Sequence, residues 1–204
     1  MISDKEKEVY INRVQYLFEM AWAAITILIW GRRTGKTNYP MARFLTRNAF
    51  EMPKSNGFII ATTYEQMLTR TLPPLIDGLR RLGYYEDVHY WIGKFPPKNL
   101  NIDISPLAPK KPNNYITWLN GSGQFLVSQD VVASINGVAS QYGAGDEAKF
   151  LNKEKLDNEA LMTLSGMPEF SKMSNYLSLF FSSDMPRDQK GKWLFDFEGM
   201  MDIE

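Results

Sequence analysis

The chain has 204 residues, enough for one globular domain with a sizeable core, and a hydrophobic share of 44% with 12 Phe, 10 Tyr and 5 Trp excludes a disordered polymer. Lys and Arg together number 23, as do Asp and Glu, so no global basic field draws the chain onto nucleic acid, and any DNA contact must be local or shared among subunits. The absence of cysteine removes disulfides, thiol nucleophiles and thiolate metal sites, as suits a reducing compartment, and the single His89 removes multi-histidine metal sites.

Residues 3–20 place Val9, Ile11, Val14, Leu17 and Phe18 at roughly helical spacing among charged neighbours, which predicts an amphipathic N-terminal helix. The longest apolar run, Ala21 to Trp30, is broken by Thr26, is far too short to span a bilayer and lacks the flanks of a signal peptide. We therefore expect a soluble, intracellular protein. Within that run, Ile25 to Trp30 is rich in β-branched residues and stops at Gly31, the pattern of a buried strand. Thr37 to Met52 predicts a helix, with Pro40 tolerated in its first turn.

Gly57 to Thr63 is a second buried strand, and Tyr64 to Leu82 reads as helical segments broken at Pro73-Pro74. This alternation of strand and helix implies an α/β fold with a mainly parallel sheet flanked by helices. Residues 83–114 hold five of the eleven prolines and several lysines, an irregular excursion. Tyr115 to Asn120 and Gln124 to Ser128 flank Gly121-Ser122-Gly123 and predict a hairpin. A helix over Asn152 to Ser165 and a last buried strand over Leu177 to Ser182 complete the expectation of a single domain over 1–204.

Gly31-Arg32-Arg33-Thr34-Gly35-Lys36-Thr37 lies between a predicted strand and a predicted helix, where backbone N–H groups and a helix N-terminus can surround phosphate oxygens. Such a loop uses its lysine on the β- and γ-phosphates and its threonine hydroxyl on Mg²⁺. The usual spacing puts the first glycine at position 30, which is Trp30 here, so a Gly-Lys-Thr tripeptide in an ordinary turn is the alternative. A nucleotide hydrolase of this kind also needs one carboxylate for the metal and one for the attacking water. Asp146-Glu147 offers both, provided the strand ends there, because neighbouring strand residues point to opposite faces. The preceding Ser140 to Gly145 is not an apolar run, so a solvated surface pair is the alternative. Ser182-Ser183-Asp184-Met185-Pro186 ends the last strand with hydroxyls that suit either a γ-phosphate sensor or a simple turn.

Taken together, Trp-Gly-Arg-Arg-Thr-Gly-Lys-Thr at 30–37, Gly-Asp-Glu-Ala-Lys-Phe at 145–150 and Ser-Ser-Asp-Met-Pro at 182–186 resemble the ATPase domain of tailed-bacteriophage large terminases, the DNA-packaging motors, over about residues 12–187. That family often departs from the first glycine, as Trp30 does. The resemblance implies a P-loop NTPase fold of the ASCE type. It puts Gly31 to Thr37 (Walker A) on ATP, with Thr37 and Asp146 (Walker B) at Mg²⁺ and Glu147 as catalytic carboxylate. It makes Ser182 and Ser183 the coupling segment and Gln15, 21 residues before Lys36, the adenine-recognising glutamine; an amide can donate to and accept from that base, although an exposed helix residue is the alternative.

Arg32 or Arg33 would stabilise charge on the transferring phosphoryl group from within the loop, with solvent exposure or an acidic ion pair as the alternative for one of them. Relatives often carry an arginine some ten residues before the acidic pair; Asn136-Gly137 stands there, leaving Arg80, Arg81 and Arg187 as substitutes for an arginine acting between subunits. Double-stranded DNA, a portal, a small terminase subunit and a homo-oligomeric ring are the implied partners, in the cytoplasm of an infected host cell. The C-terminal nuclease domain of the family has no counterpart in the few residues after Arg187, so no DNA cleavage is expected. A helicase-like or repair ATPase and a non-hydrolysing nucleotide-binding assembly module are the competing readings.

Overall fold

The computed structural model describes residues 8–131 and 138–200. Among these described residues seven strands form one mixed sheet: β1 (Ile25–Ile29), β2 (Asn56–Ala61), β3 (Tyr90–Ile92), β4 (Tyr115–Trp118), β5 (Gly123–Ser128), β6 (Tyr142–Gly145) and β7 (Ser178–Ser183). Their order is β1-β7-β6-β2-β5-β4-β3. The first five in that order run parallel, while β4 is antiparallel to both β5 and β3. Among the described residues no helix is long and apolar enough to cross a membrane.

Both faces of the parallel region are covered, so its strands carry apolar residues at successive positions, and the pleat sends them alternately to two cores. Leu28, Ile59, Leu126, Ala144 and Phe180 enter one core, with α2 (Ala42–Glu51) and the helical segment α3 (Tyr64–Gln66) to α4 (Leu72–Arg81) over it. Phe58, Ile60, Val127, Leu179 and Phe181 enter the other, beneath Leu151, Leu156, Trp193 and Leu194 of the C-terminal third.

Several elements differ from the sequence expectation for local physical reasons. Among the described residues the first helix, α1, spans only Arg13–Met20, so Val9 and Ile11 lie before it, and residues 3–7 of the expected helix lie outside the described residues. Asn12 is its N-cap: the Asn12 side chain accepts the Gln15 N–H, and the Gln15 side chain accepts the Asn12 N–H, a reciprocal box that starts the helix there. Pro73 and Pro74 do not interrupt a helix but open α4, where a missing N–H costs little. Pro40 sits inside a wide turn at Thr37–Met41 that precedes α2. The irregular excursion contains β3, whose Tyr90 and Trp91 are buried. Between Lys153 and Thr163 the chain is helical, but in three short pieces of different pitch (α5, Lys153–Lys155, first) rather than one helix.

The C-terminal ends of β1, β7 and β6 lie side by side at one edge of the sheet. Ile29 pairs with Ser183, and Gly145 pairs with Phe181. The strand carrying Ser182 and Ser183 thus lies between the strand leading to Trp30 and the strand leading to Asp146.

Candidate functional site

The loop after β1 is fixed at both ends. Trp30 N–H donates to the Ser183 carbonyl at 3.1 Å, tying the loop's start to β7. Trp30 is not among the residues with positive φ, and its ring packs against the first core, so this backbone position does not require the glycine found in the usual motif. The Thr34 hydroxyl donates to the Gly31 carbonyl at 2.8 Å, Arg33 has φ 63°, and Gly35 has φ 77°, the left-handed conformation that glycine adopts without strain. Tyr39 N–H to the Gly35 carbonyl and Met41 N–H to the Lys36 carbonyl, each 3.1 Å, then wind the chain toward α2. The Lys36 ammonium is buried and donates to the Trp30 and Gly31 carbonyls, both at 3.1 Å, spanning the mouth of its own loop.

Asp146 follows β6 directly and is 6% exposed. Its two carboxylate oxygens are taken by hydroxyls from the other two motifs: Thr37 Oγ1 donates to Oδ2 at 2.7 Å, and Ser182 Oγ donates to Oδ1 at 2.6 Å. The strand ends at Gly145, and Glu147 adopts φ 49° and ψ 42°, so the chain turns sharply at the pair and the two carboxylates need not point to opposite faces. Burial, reinforced by Asp146 and Asp184 and opposed by Lys149 and Lys36, pushes the Glu147 carboxyl above the usual range. A more basic carboxylate accepts a proton from water more readily. Among the described residues no group of three or more His, Asp or Glu could cage a metal ion. Mg²⁺ does not require one, because it is held by one or two protein oxygens together with substrate phosphates and water, and the Thr37 and Asp146 oxygens suit that arrangement.

Arg32 reaches across to Asp184 at 2.9 Å with 83% of its side chain exposed. Asp184 also receives Lys149, and both of those side chains are mostly buried. The Lys149 ammonium, aided by Arg32, holds the Asp184 carboxyl below its ordinary value. Asp184 and Lys149 were missed as site residues by sequence reasoning, although they stand in the two quoted motifs with complementary charge. A cleft of about 480 Å³ opens beside Gly31 and Arg32, with Lys149, Asp184, Arg187 and Lys190 among its walls. Ser183 contributes its hydroxyl as a weak acceptor for Lys149 N–H at 3.4 Å.

The remaining candidates fall in different places. Arg33 is exposed on the loop. Arg80 and Arg81 both pair with Asp77 on α4. Asn136-Gly137 lies outside the described residues. Gln15 is buried beside the loop, but its amide is occupied by protein partners at both ends.

No family model and no curated protein matches the sequence. Solved structures do match. The ATPase domain of the Thermus phage P74-26 large terminase has a TM-score of 0.56 at 18% identity, over 92% of this chain and 69% of that one. The large terminase of the thermophilic bacteriophage D6E has a TM-score of 0.59 at 15% identity, over 85% of this chain and 39% of that one. The D6E protein in complex with ATP-gamma-S has a TM-score of 0.56 at 13% identity, over 85% and 38%. The chain spans about two fifths of the D6E protein. It shares the mainly parallel α/β fold of those phage large terminase ATPase domains.

Proposed function

We propose that this chain is the Mg²⁺-dependent ATPase motor of a viral large terminase, hydrolysing ATP to power translocation of double-stranded DNA into a procapsid. One observation carries the reading: Asp146 is held between Thr37 of the phosphate loop and Ser182 of the strand between them, so three separate motifs meet on one carboxylate. In this reading Lys36 leaves the Trp30 and Gly31 carbonyls for the β- and γ-phosphates, and the N–H groups of the loop surround the phosphate oxygens. Thr37 and Asp146 would hold Mg²⁺, which would supply positive charge beside the phosphoryl oxygens.

Glu147 orients the attacking water and accepts its proton, helped by its raised basicity. Arg32 exchanges Asp184 for the transferring phosphoryl group, and Ser182 and Ser183 pass the change at the γ-phosphate to β7. DNA, a portal, a small terminase subunit and further copies of the chain in a ring are the partners this role requires in an infected cell.

Phosphate release from Mg·ATP by the wild type and by Lys36→Ala and Glu147→Gln variants tests the site. Turnover falling by roughly a hundredfold or more in both is expected, the scale of losing a main electrostatic or proton-transfer group. Both variants turning over like the wild type would sink the assignment. DNA-strand unwinding by the purified protein would instead favour a helicase-like ATPase, and tight ATP binding without turnover, even with DNA and partners present, a non-hydrolysing module.

A further inference from the structure

The Gln15 amide is engaged by the protein at both ends. Its oxygen accepts the Asn12 N–H at 3.0 Å, and its nitrogen donates to the Thr34 carbonyl at 3.3 Å and the Gly35 carbonyl at 3.4 Å. An amide nitrogen has two hydrogens, and two loop carbonyls lie within hydrogen-bond reach of it. Asn12 repeats the arrangement, with its oxygen accepting the Gln15 N–H at 3.0 Å and its nitrogen donating to the Thr34 carbonyl at 3.2 Å. The acceptor ends of the two amides therefore cap α1, while the donor ends grip the phosphate loop. The fit is close: a Cβ added at Gly35 would lie 2.7 Å from the Gln15 nitrogen.

The carbonyls gripped are informative. In a planar trans peptide the C=O of one residue points opposite to the N–H of the next. Holding the Thr34 carbonyl toward α1 therefore turns the Gly35 N–H away from it, toward the interior of the loop; the Gly35 carbonyl is shared between Tyr39 N–H at 3.1 Å and the Gln15 amide, and the two together set the Lys36 N–H in the same way. Those are the groups a phosphate chain would meet if the loop cradles one.

We propose that Gln15, seconded by Asn12, is a positioning residue that presets the Gly35 and Lys36 N–H groups for a polyphosphate, and that it does not read the nucleobase. This rests on the phosphate-loop reading above. The consequence is a site whose N-terminal segment selects the phosphate chain and leaves the base unselected at this position.

The test compares inorganic tripolyphosphate, ATP and GTP binding to the wild type, Gln15→Glu, Gln15→Met and Lys36→Ala. Gln15→Glu keeps an oxygen to accept the Asn12 N–H, so the helix cap survives, but at neutral pH it has nothing to donate to the loop. Gln15→Met removes the donors without adding charge. Both variants should weaken tripolyphosphate and ATP by the same factor, about tenfold, the scale of a lost hydrogen bond or slightly more. The ATP-to-GTP ratio should stay near wild type in both variants.

As pH falls and the carboxyl introduced by Gln15→Glu regains an O–H donor, the loss in that variant should shrink relative to wild type, a recovery that a general packing defect would not show. Unchanged tripolyphosphate binding with ATP falling toward GTP would overturn the proposal in favour of base reading. Unchanged binding of all three ligands would overturn it outright. If Lys36→Ala binds tripolyphosphate as the wild type does, the phosphate-loop reading itself fails, and the proposal with it.

Discussion

Gly143→Ala probes how the sheet places the proposed catalytic pair, Asp146 and Glu147. Gly143 lies three residues before Asp146 on β6, between β7 and β2. A Cβ there would sit 2.1 Å from Phe58 Cζ and 2.6 Å from both Phe58 Cε atoms. The ring is fully buried in the second core, flanked by strands on which β6 depends for its hydrogen bonds, so neither side can yield freely. Overpacking of this kind costs about 1–3 kcal/mol, and the smaller unfolded-state entropy of alanine offsets about 0.4–1 kcal/mol of it. With the 2.1 Å approach placing the overpacking in the upper half of that range, about 2–3 kcal/mol, a net loss of about 1–2.6 kcal/mol follows, or a melting point lower by about 2–10 °C for a chain of this size.

Urea unfolding measures it, with the slope unchanged if only packing is altered. Phe58→Leu makes room, so in that background alanine should cost less than in the wild type by at least about 0.5 kcal/mol. Because the same displacement moves Asp146, Mg·ATP turnover should fall in the single variant and recover in part in the double. A Gly143→Ala protein within about 0.5 kcal/mol of wild type, or a penalty undiminished by Phe58→Leu, would refute the reasoning.

Other substitutions separate the roles of neighbouring groups. Arg32→Ala should leave the melting temperature almost unchanged, because the arginine is exposed, while lowering ATP turnover; a stability loss without a kinetic one would reverse its assignment. Asp184→Asn should cost more stability than Arg32→Ala, since it strands the mostly buried Lys149 ammonium. Asp184 has its pKa lowered on folding, so its stabilisation is present above the unfolded value of about 3.9 and is lost as pH falls through the folded value. Wild type and Asp184→Asn should accordingly converge in thermal scans below about pH 4 and separate above it; a gap independent of pH would contradict the ion pair. Ser182→Ala removes the 2.6 Å bond to Asp146 in a fully buried setting and should destabilise by about 1–3 kcal/mol in denaturant titration, with a parallel loss of Mg²⁺-dependent ATP affinity by calorimetry.

The loop was legible because its letters and its place between strand and helix agree. Trp30 looked like a defect in the motif, but its backbone makes no demand for glycine and its ring has a core to enter. The strand before the acidic pair was harder to read, since Tyr142-Gly143-Ala144-Gly145 is short and contains no branched aliphatic residue. Its apolar bulk is supplied by neighbours: rings of Phe58 and Phe181 cover Gly143 and Gly145, information carried by other strands. Strand β3 escaped notice because three residues show no periodicity. The start of α1 was misplaced because apolar spacing outweighed Asn12 and Gln15, whose reciprocal cap sets the boundary. The charges of Arg32, Lys149 and Asp184 could be seen in the motifs, but their meeting depends on β1, β6 and β7 ending together at one edge.

A structure of the Glu147→Gln variant with Mg²⁺ and ATP tests the central claim most directly. The account predicts Lys36 withdrawn from the Trp30 and Gly31 carbonyls onto the phosphates, Thr37 and Asp146 at the metal, and the residue at 147 facing a water in line with the γ-phosphate. Nucleotide bound away from the 31–37 loop, or a metal held without Asp146, would contradict it.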